Sequence, residues 1–371
     1  MLLLARVAEQ LYWAARYVER AEMTARVVSE HTHLLVDLPT SVPLTWEPLL
    51  DVPGARPPRA LTAPAGSNGD RDDRPPEVTE REVVAFLLAA PDNPSSVLAS
   101  VSAARTNLRG AREVLPREAW EAVNNLYLFV TSNHTEGIDR WSRGRFLDRV
   151  IAEAQRFNGI LAGTMTRGAP YQFLRLGRAV ERADMTDRVL DSRAVPLLDG
   201  PTGSHREVQW SALLRSLSAL PAYYQRGSAP LAGPPAVRLV LHDPDFPGSI
   251  GHCLTEAGTV LAELPRSTAA ATAVASARRT LADVVVTPPT RLRDGLRRLR
   301  DATAAIHDEV EATFFPRSPD ATDDAAALGD DDGSTAGDGD GDPTDTQSQS
   351  QTPSPAPAST GAATEQPSRA E

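Results

Sequence analysis

A twelve-residue segment that occurs twice is the feature that most constrains the fold of this chain. Residues 16–27 read RYVERAEMTARV and residues 178–189 read RAVERADMTDRV, with nine of the twelve positions identical. A second pair follows in the same order, FLLAAPDNPSSV at 86–97 and LVLHDPDFPGSI at 239–250. The two offsets, 162 and 153 residues, differ by an amount that loop insertions explain. Because each copy is as long as a domain, the pattern predicts a tandem duplication.

The spacing of apolar residues predicts helices throughout. Residues 3–36 carry apolar side chains at the 3.6-residue period of a helix, which Pro39 ends. Ser95 or Ser96 can cap the helix that follows the first Asp-x-Pro-x-Ser turn. Runs of β-branched residues are scarce, and VVV at 284–286 is too short to build a sheet around. We therefore predict an all-α fold, a tandemly duplicated helical bundle.

Changes in composition divide the chain into three parts. The first copy spans residues 1–167 and contains a Pro/Gly-rich insertion at 52–79, and the second copy spans 168–317. Residues 318–371 contain twelve acidic residues, one basic residue and no aromatic residue. Such a segment cannot bury enough apolar surface to offset the entropy lost on ordering. We therefore predict a disordered acidic C-terminal tail.

The basic residues of this chain are all arginine, 38 in number, because it contains no lysine. A P-loop needs a lysine on the phosphates and Schiff-base catalysis needs an amine nucleophile, so this chain alone supports neither. The net charge of −11 belongs to the tail, since residues 1–317 carry 37 acidic and 37 basic residues. A neutral body with no basic excess argues against nucleic acid as a partner.

The single cysteine and the hydropathy pattern indicate a location. Cys253 has no second cysteine to pair with in the chain, which favours a reducing compartment. No stretch approaches the roughly 20 apolar residues that a membrane span needs. The apolar run at the N-terminus is too short for a signal peptide. We expect a cytoplasmic protein without a membrane partner.

The repeated segment gathers charged side chains on one face of each long helix, opposite the apolar face. An ordinary solvent-exposed face would have diverged between the copies as the remaining sequence has. We therefore expect this face to be packed, with glutamate and arginine in a defined network that suits the planar arginine fork. The candidate ligand- or partner-binding residues are Arg16, Glu19, Arg20, Arg26, Arg178, Glu181, Arg182 and Arg188.

Two interpretations of this face remain open. In the structural one, Glu19 and Arg20 pair with Arg182 and Glu181 across a pseudo-twofold contact and set the register of the bundle. In the functional one, the two arginine-rich faces line a cleft that binds a carboxylate or a phosphate. General-base catalysis requires a carboxylate with a raised pKa, whereas adjacent arginines lower it. A binding role is therefore favoured over catalysis.

Metal binding is not expected. Glu30-x-x-His33 matches the carboxylate–imidazole element of di-iron bundles, but the second copy has Ser192 and Val195 at the equivalent places. We predict neither a metal site nor a cofactor.

Several further residues have structural interpretations. His31 and His33 are expected to interact with the dipole at a helix C-terminus. Cys253 lies near a helix N-terminus, which would lower its pKa, but a buried apolar role is favoured for it. Four tryptophans are expected to fill the core: Trp13, Trp120, Trp141 and Trp210.

The motifs together resemble a known family. The repeated Glu-Arg dipeptides, the two Asp-x-Pro-x-Ser turns (92–96 and 245–249) and the stretch REAWEAVNNLYL are similar to those of the bacterial and archaeal alpha-E family over about residues 1–315. That family is described as an α-helical domain with an ER motif, typically in tandem duplication. Its members are encoded beside, or fused to, circularly permuted ATP-grasp ligases, transglutaminase-like peptidases and NTN-type hydrolases. The resemblance implies a role in peptide synthesis or protein modification, and supplies no catalytic residue.

Three functions follow as hypotheses. The first is an accessory or binding protein that acts with an ATP-grasp ligase or a transglutaminase-like partner. The second is an enzyme that uses the cluster of Glu19, Arg20, Glu181 and Arg182 on a carboxylate or amide substrate. The third is a purely structural helical bundle that forms homo-oligomers. Whether the chain is an enzyme stays open, with a non-catalytic role favoured.

Overall fold

A computed structural model describes residues 3–39, 42, 44–54, 78–90, 92–200, 205–227 and 230–316. Within these ranges the regular elements are helices and no strand forms, which confirms the predicted all-α class. The described residues exclude most of the insertion at 52–79 and the whole of the tail at 318–371. The predicted disorder of the tail is therefore not tested by this structure. No described helix combines the length and the apolar character that crossing a bilayer requires.

The helices range from one short turn to 33 residues. In chain order they are α1 (Ala5–Asp37), α2 (Glu80–Leu88), α3 (Val97–Gly110), α4 (Arg117–Ile138), α5 (Arg143–Thr164), α6 (Ala169–Val189), α7 (Val195–Asp199), α8 (Arg206–Ser216), α9 (Leu220–Gln225), α10 (Gly233–His242), α11 (Ile250–Glu263), α12 (Thr268–Ala282) and α13 (Pro289–Phe314). Short 3₁₀ helices lie at Glu47–Asp51 and Arg112–Val114, and a π-helical turn, Leu190–Ala194, joins α6 to α7.

Helices α1 and α6, which carry the repeated segment, pack against each other at the centre of the fold. Helices α3 and α5 pack on α1 and both contact α4, while α11 and α13 pack on α6 and both contact α12. The helix order and the packing are therefore alike around the two central helices. This likeness is what a duplication would produce, and the duplication itself stays a prediction.

A glycine sets the distance between the two central helices. A Cβ atom added at Gly177 would lie 2.2 Å from the backbone oxygen of Tyr12. Backbone atoms cannot move aside as the end of a flexible side chain can, so glycine is required for this close approach. The equivalent position of α1, 162 residues earlier, is the buried Ala15. At this crossing the backbone of α1 therefore approaches α6 more closely than a side chain at position 177 would allow.

The two Asp-x-Pro-x-Ser turns begin α3 and α11 in the same way. The Ser96 hydroxyl accepts a hydrogen bond from the Ala99 backbone N–H at 3.2 Å, and the Ser249 hydroxyl accepts one from the His252 N–H at 3.0 Å. Each serine thereby satisfies a backbone donor that the first helical turn leaves unpaired. Of the two serines that could cap α3, Ser96 does so.

Two expectations about buried residues are wrong. Trp141 is 93% exposed in the connection between α4 and α5, whereas Trp210 is buried and the other two predicted core tryptophans are half-buried. His31 does not lie at a helix C-terminus, because α1 continues to Asp37. It is buried instead, with its ring centre 4.4 Å from that of Trp46, and burial lowers its pKa to about 3.

Candidate functional site

The two Glu-Arg dipeptides meet where α1 and α6 cross. The side chains of Glu19 and Glu181 are 1% and 0% exposed, although glutamate is seldom fully buried without a partner. A buried carboxylate needs hydrogen bonds and an opposite charge to offset the loss of hydration. Both glutamates obtain these from arginines of the other helix.

Glu181 is held by two arginines of α1. Arg16 Nε donates to Glu181 Oε2 at 2.7 Å, and Arg20 Nε donates to Glu181 Oε1 at 2.5 Å. We call Arg16, Arg20 and Glu181 the closed cluster. Burial alone would raise the pKa of Glu181, but the charges and hydrogen bonds of Arg20 and Arg16 outweigh it and hold the pKa at about 2. Glu181 is therefore ionised at any physiological pH.

Aromatic side chains cover the closed cluster. The Arg16 guanidinium lies 4.8 Å from the centre of the Trp13 ring, and Arg16 Nη1 donates to the Tyr12 hydroxyl at 3.4 Å. From α13, His307 approaches the same hydroxyl with its Nδ1 at 3.3 Å. Cation–π contacts of this kind favour a guanidinium that has little water around it. The Arg16 side chain is accordingly only 9% exposed.

Glu19 is held by a single arginine of α6. Arg182 Nε donates to Glu19 Oε1 at 2.5 Å and Arg182 Nη2 donates to Glu19 Oε2 at 2.9 Å, so one guanidinium engages both carboxylate oxygens. The Arg182 side chain is 24% exposed. We call Glu19 and Arg182 the open pair. Glu19 and Arg20 thus pair with Arg182 and Glu181, as the structural interpretation predicted, but the two halves are not equivalent.

A groove of about 320 Å³ opens beside the open pair. We call it the ER groove. It lies between α1, α5 and α6 and is completed by the residues after α8 and the turn before α11. Its lining consists of Glu19, Glu22, Met23, Arg26, Gln155, Asn158, Arg178, Arg182, Thr186, Leu217, Ser218, Phe246, Pro247 and Gly248.

The remaining charged groups of the groove differ in how they are paired. Arg26 donates from Nη2 and Nε to Glu22 Oε1, at 2.8 and 3.1 Å, in the expected helix-surface pair. Burial and the Glu19 carboxylate raise the pKa of Glu22. Arg178 is half-buried, and no described residue accepts a hydrogen bond from it or forms an ion pair with it.

The structure divides the eight predicted binding residues into three places. Three form the closed cluster, and four line the ER groove: Glu19, Arg26, Arg178 and Arg182. Arg188 lies apart, bonded to Asp184 Oδ2 at 2.9 Å. Arg26 of α1 and Arg178 and Arg182 of α6 thus line one groove, whereas Arg16 and Arg20 pair with Glu181. Binding of an anion between the two faces stays a prediction.

Sequence reasoning missed the neutral part of the groove. Gln155 and Asn158 come from α5, and nothing in their local pattern marks them as lining residues. The turn at 246–248 belongs to the second Asp-Pro echo, so the repeat itself was a signal for it. Ser218, at the groove, has a positive φ of 56°, which is uncommon for a residue with a side chain.

Two other candidate elements, Cys253 and Glu30-x-x-His33, lie among the described residues. Cys253 is buried, as favoured from the sequence, and burial raises the pKa of its thiol to about 12, so little thiolate is present at neutral pH. Glu30 Oε2 accepts a hydrogen bond from Arg215 Nε at 2.7 Å, and Glu30 Oε1 lies 3.8 Å from His33 Nδ1. Among the residues that the structure describes, no three histidine, cysteine, aspartate or glutamate side chains are arranged to hold a metal ion.

Comparison with known proteins identifies one family. The family model Alpha-E, described as a predicted alpha-helical domain with a conserved ER motif, matches residues 3–315. No curated protein and no solved structure matches the chain. The matched range contains both ER dipeptides, the closed cluster and the ER groove.

Proposed function

The chain belongs to the Alpha-E family, and we propose that it is a non-catalytic binding protein of a peptide-synthesis or protein-modification system. In this role it acts in the cytoplasm with an ATP-grasp ligase or a transglutaminase-like protein. The association of the family with such enzymes supports the choice of partner, and the chemistry of the site supports binding over catalysis.

The observation that carries the proposal is that arginine engages both ER carboxylates. A general base must accept a proton near neutral pH, and the pKa of Glu181 is about 2. All four oxygens of Glu19 and Glu181 already accept a hydrogen bond from an arginine of the opposite helix. These hydrogen bonds join α1 to α6, which supports a binding role for the chain over a catalytic role for Glu19 and Glu181.

The ER groove is the part of the site that supports binding. It is open to solvent next to the motif and contains an arginine, Arg178, that no described residue neutralises. The competing hypothesis of an enzyme built on the Glu-Arg cluster requires one of its carboxylates to leave its arginine. The hypothesis of a purely structural bundle gives the groove no role.

Co-purification tests this proposal. The full chain, tagged, is produced together with an ATP-grasp ligase or transglutaminase-like protein encoded beside it. We expect the two proteins to elute as one complex, and the isolated chain to show no ligase or hydrolase activity. Turnover by the isolated chain that Glu181→Gln abolishes without unfolding would contradict the proposal. So would elution of the chain without either enzyme.

A further inference from the structure

Arg178 and Arg16 occupy equivalent positions in α6 and α1, 162 residues apart, but have different surroundings. Arg16 is bonded to Glu181 and covered by Trp13. Arg178 would have Glu19 as its counterpart, yet Arg182 alone occupies both oxygens of Glu19. The ER groove therefore contains a guanidinium whose five donors are not used by any described residue.

The charges around the groove limit which anion fits. Arg26, Arg178 and Arg182 face Glu19 and Glu22, so the lining carries one net positive charge when both carboxylates are ionised. A dianionic phosphate would lie close to both glutamates in a space of about 320 Å³, where like charges repel strongly. A single carboxylate matches the net charge and also the planar fork of Arg178.

The neutral lining matches an amide and a side chain. Gln155 and Asn158 can each donate and accept a hydrogen bond. Glu22 receives both hydrogen bonds of Arg26 on Oε1, and no described donor occupies its Oε2. Met23, Leu217 and Phe246 add apolar surface. The volume is at the lower end of the range for ligand sites, which suits one or two amino-acid residues.

We propose that the ER groove binds the C-terminal end of a peptide, with its carboxylate on Arg178. The last amide groups of the peptide bond to Glu22 Oε2 and the α5 amides, and its last side chain packs on Phe246. This inference rests on the proposed function and names its ligand class, because a peptide under synthesis or modification presents such an end.

Calorimetric titration of the full chain tests the site, with N-acetyl-alanyl-alanine as the probe. Its C-terminal amide and inorganic phosphate serve as comparison ligands. We expect the free acid to bind at least about tenfold more tightly than the amide, since a charge-assisted bidentate pair is lost in the amide. Phosphate should bind more weakly than the free acid. Equal binding of acid and amide, tighter binding of phosphate, or no binding of the acid would overturn the proposal.

Three variants locate the binding. Arg178→Gln should weaken binding of the free acid about tenfold or more, whereas Arg188→Gln, on the same helix but outside the groove, should leave it unchanged. Arg178→Lys keeps the charge and should fall between wild type and Arg178→Gln. Circular dichroism checks that each variant is folded. Wild-type affinity in both Arg178 variants would contradict the assignment. Partner co-purification without peptide-end binding would remove this inference and leave the proposed function standing.

Discussion

Glu181 and Glu19 occupy equivalent positions in the two central helices, yet their surroundings differ. Glu181 lies in the closed cluster, whereas Glu19 lines the solvent-accessible ER groove. Glu181 accepts hydrogen bonds from two arginines, and Glu19 accepts them from one. The difference begins one turn earlier, where α1 has Tyr12 and Trp13 and α6 has Leu174 and Arg175 at the equivalent positions.

The neighbours of each first arginine explain the difference. Tyr12 and Trp13 accept Arg16 through a hydroxyl and a ring face, so the guanidinium is drawn into the interior. Beside Arg178 there is no aromatic pair, and Arg175 is itself bonded to Glu256 at 2.8 Å. The same motif thus pairs and buries its first arginine in one copy and leaves that arginine without a described partner in the other.

The largest expected effect separates the two glutamates. Glu181→Gln leaves two guanidinium groups without their carboxylate, and breaking a buried pair from one side costs about 3–5 kcal/mol. Glu19→Gln should cost less, because Arg182 reaches the groove and can be hydrated there. Urea unfolding followed by circular dichroism measures both. Equal decreases in the free energy of unfolding for Glu19→Gln and Glu181→Gln would contradict the difference between the open pair and the closed cluster.

A pH-dependent effect should distinguish the second central helix from the first. Burial raises the pKa of Asp187, which lies where α1 has Ala25, to about 7. In the unfolded chain the aspartate pKa is lower, about 3.9, so the unfolded chain releases the proton first. This group therefore lowers the free energy of unfolding as pH rises from about 4 to about 7, by on the order of 4 kcal/mol.

Asp187→Asn should remove this loss, so that the variant gains stability relative to wild type as pH rises through that range. Asp191→Asn, a half-exposed neighbour that also bonds Arg300, is the matched control. Urea unfolding at a series of pH values checks the expectation. A variant whose stability runs parallel to that of wild type between pH 4 and 7 would show that Asp187 titrates normally.

A smaller effect tests the tight side of the helix crossing. Gly177→Ala forces a Cβ atom against the Tyr12 carbonyl and should lower stability by about 2 kcal/mol. Gly163→Ala, in α5 with nothing within 4 Å, should raise stability by about 0.5–1 kcal/mol, as expected for glycine in a helix. Thermal melts compare the two variants. If Gly177→Ala is as stable as Gly163→Ala, the crossing is looser than described.

The cross-pairing could be predicted from the sequence because it depends on a local pattern. The Glu-Arg dipeptide is unchanged between the copies, at Glu19-Arg20 and at Glu181-Arg182. A packed charged face requires a partner of complementary charge, and the same face of the other copy can provide it. The all-α class and a serine cap at position 95 or 96 likewise follow from spacing within a few residues, and the structure identifies the cap as Ser96.

What the sequence could not show depends on side chains from distant segments. Arg16 and Arg178 have unequal roles because Trp13 covers only Arg16 and because Arg182 donates to both oxygens of Glu19. The groove takes two amides from α5 and a turn far along the chain, and no single segment has that pattern. Trp141 failed as a core residue because hydrophobicity alone does not report that its turn faces solvent.

A double-mutant cycle tests the central claim, that the ER motifs pair across the two helices and not within one. Glu19→Gln and Arg182→Gln, alone and combined, should show a coupling energy of about 1–3 kcal/mol in urea unfolding. The adjacent pair Glu19→Gln and Arg20→Gln should couple by less than about 0.5 kcal/mol, because these two residues bond to different partners. Coupling within the motif that exceeds coupling across the helices would contradict the account.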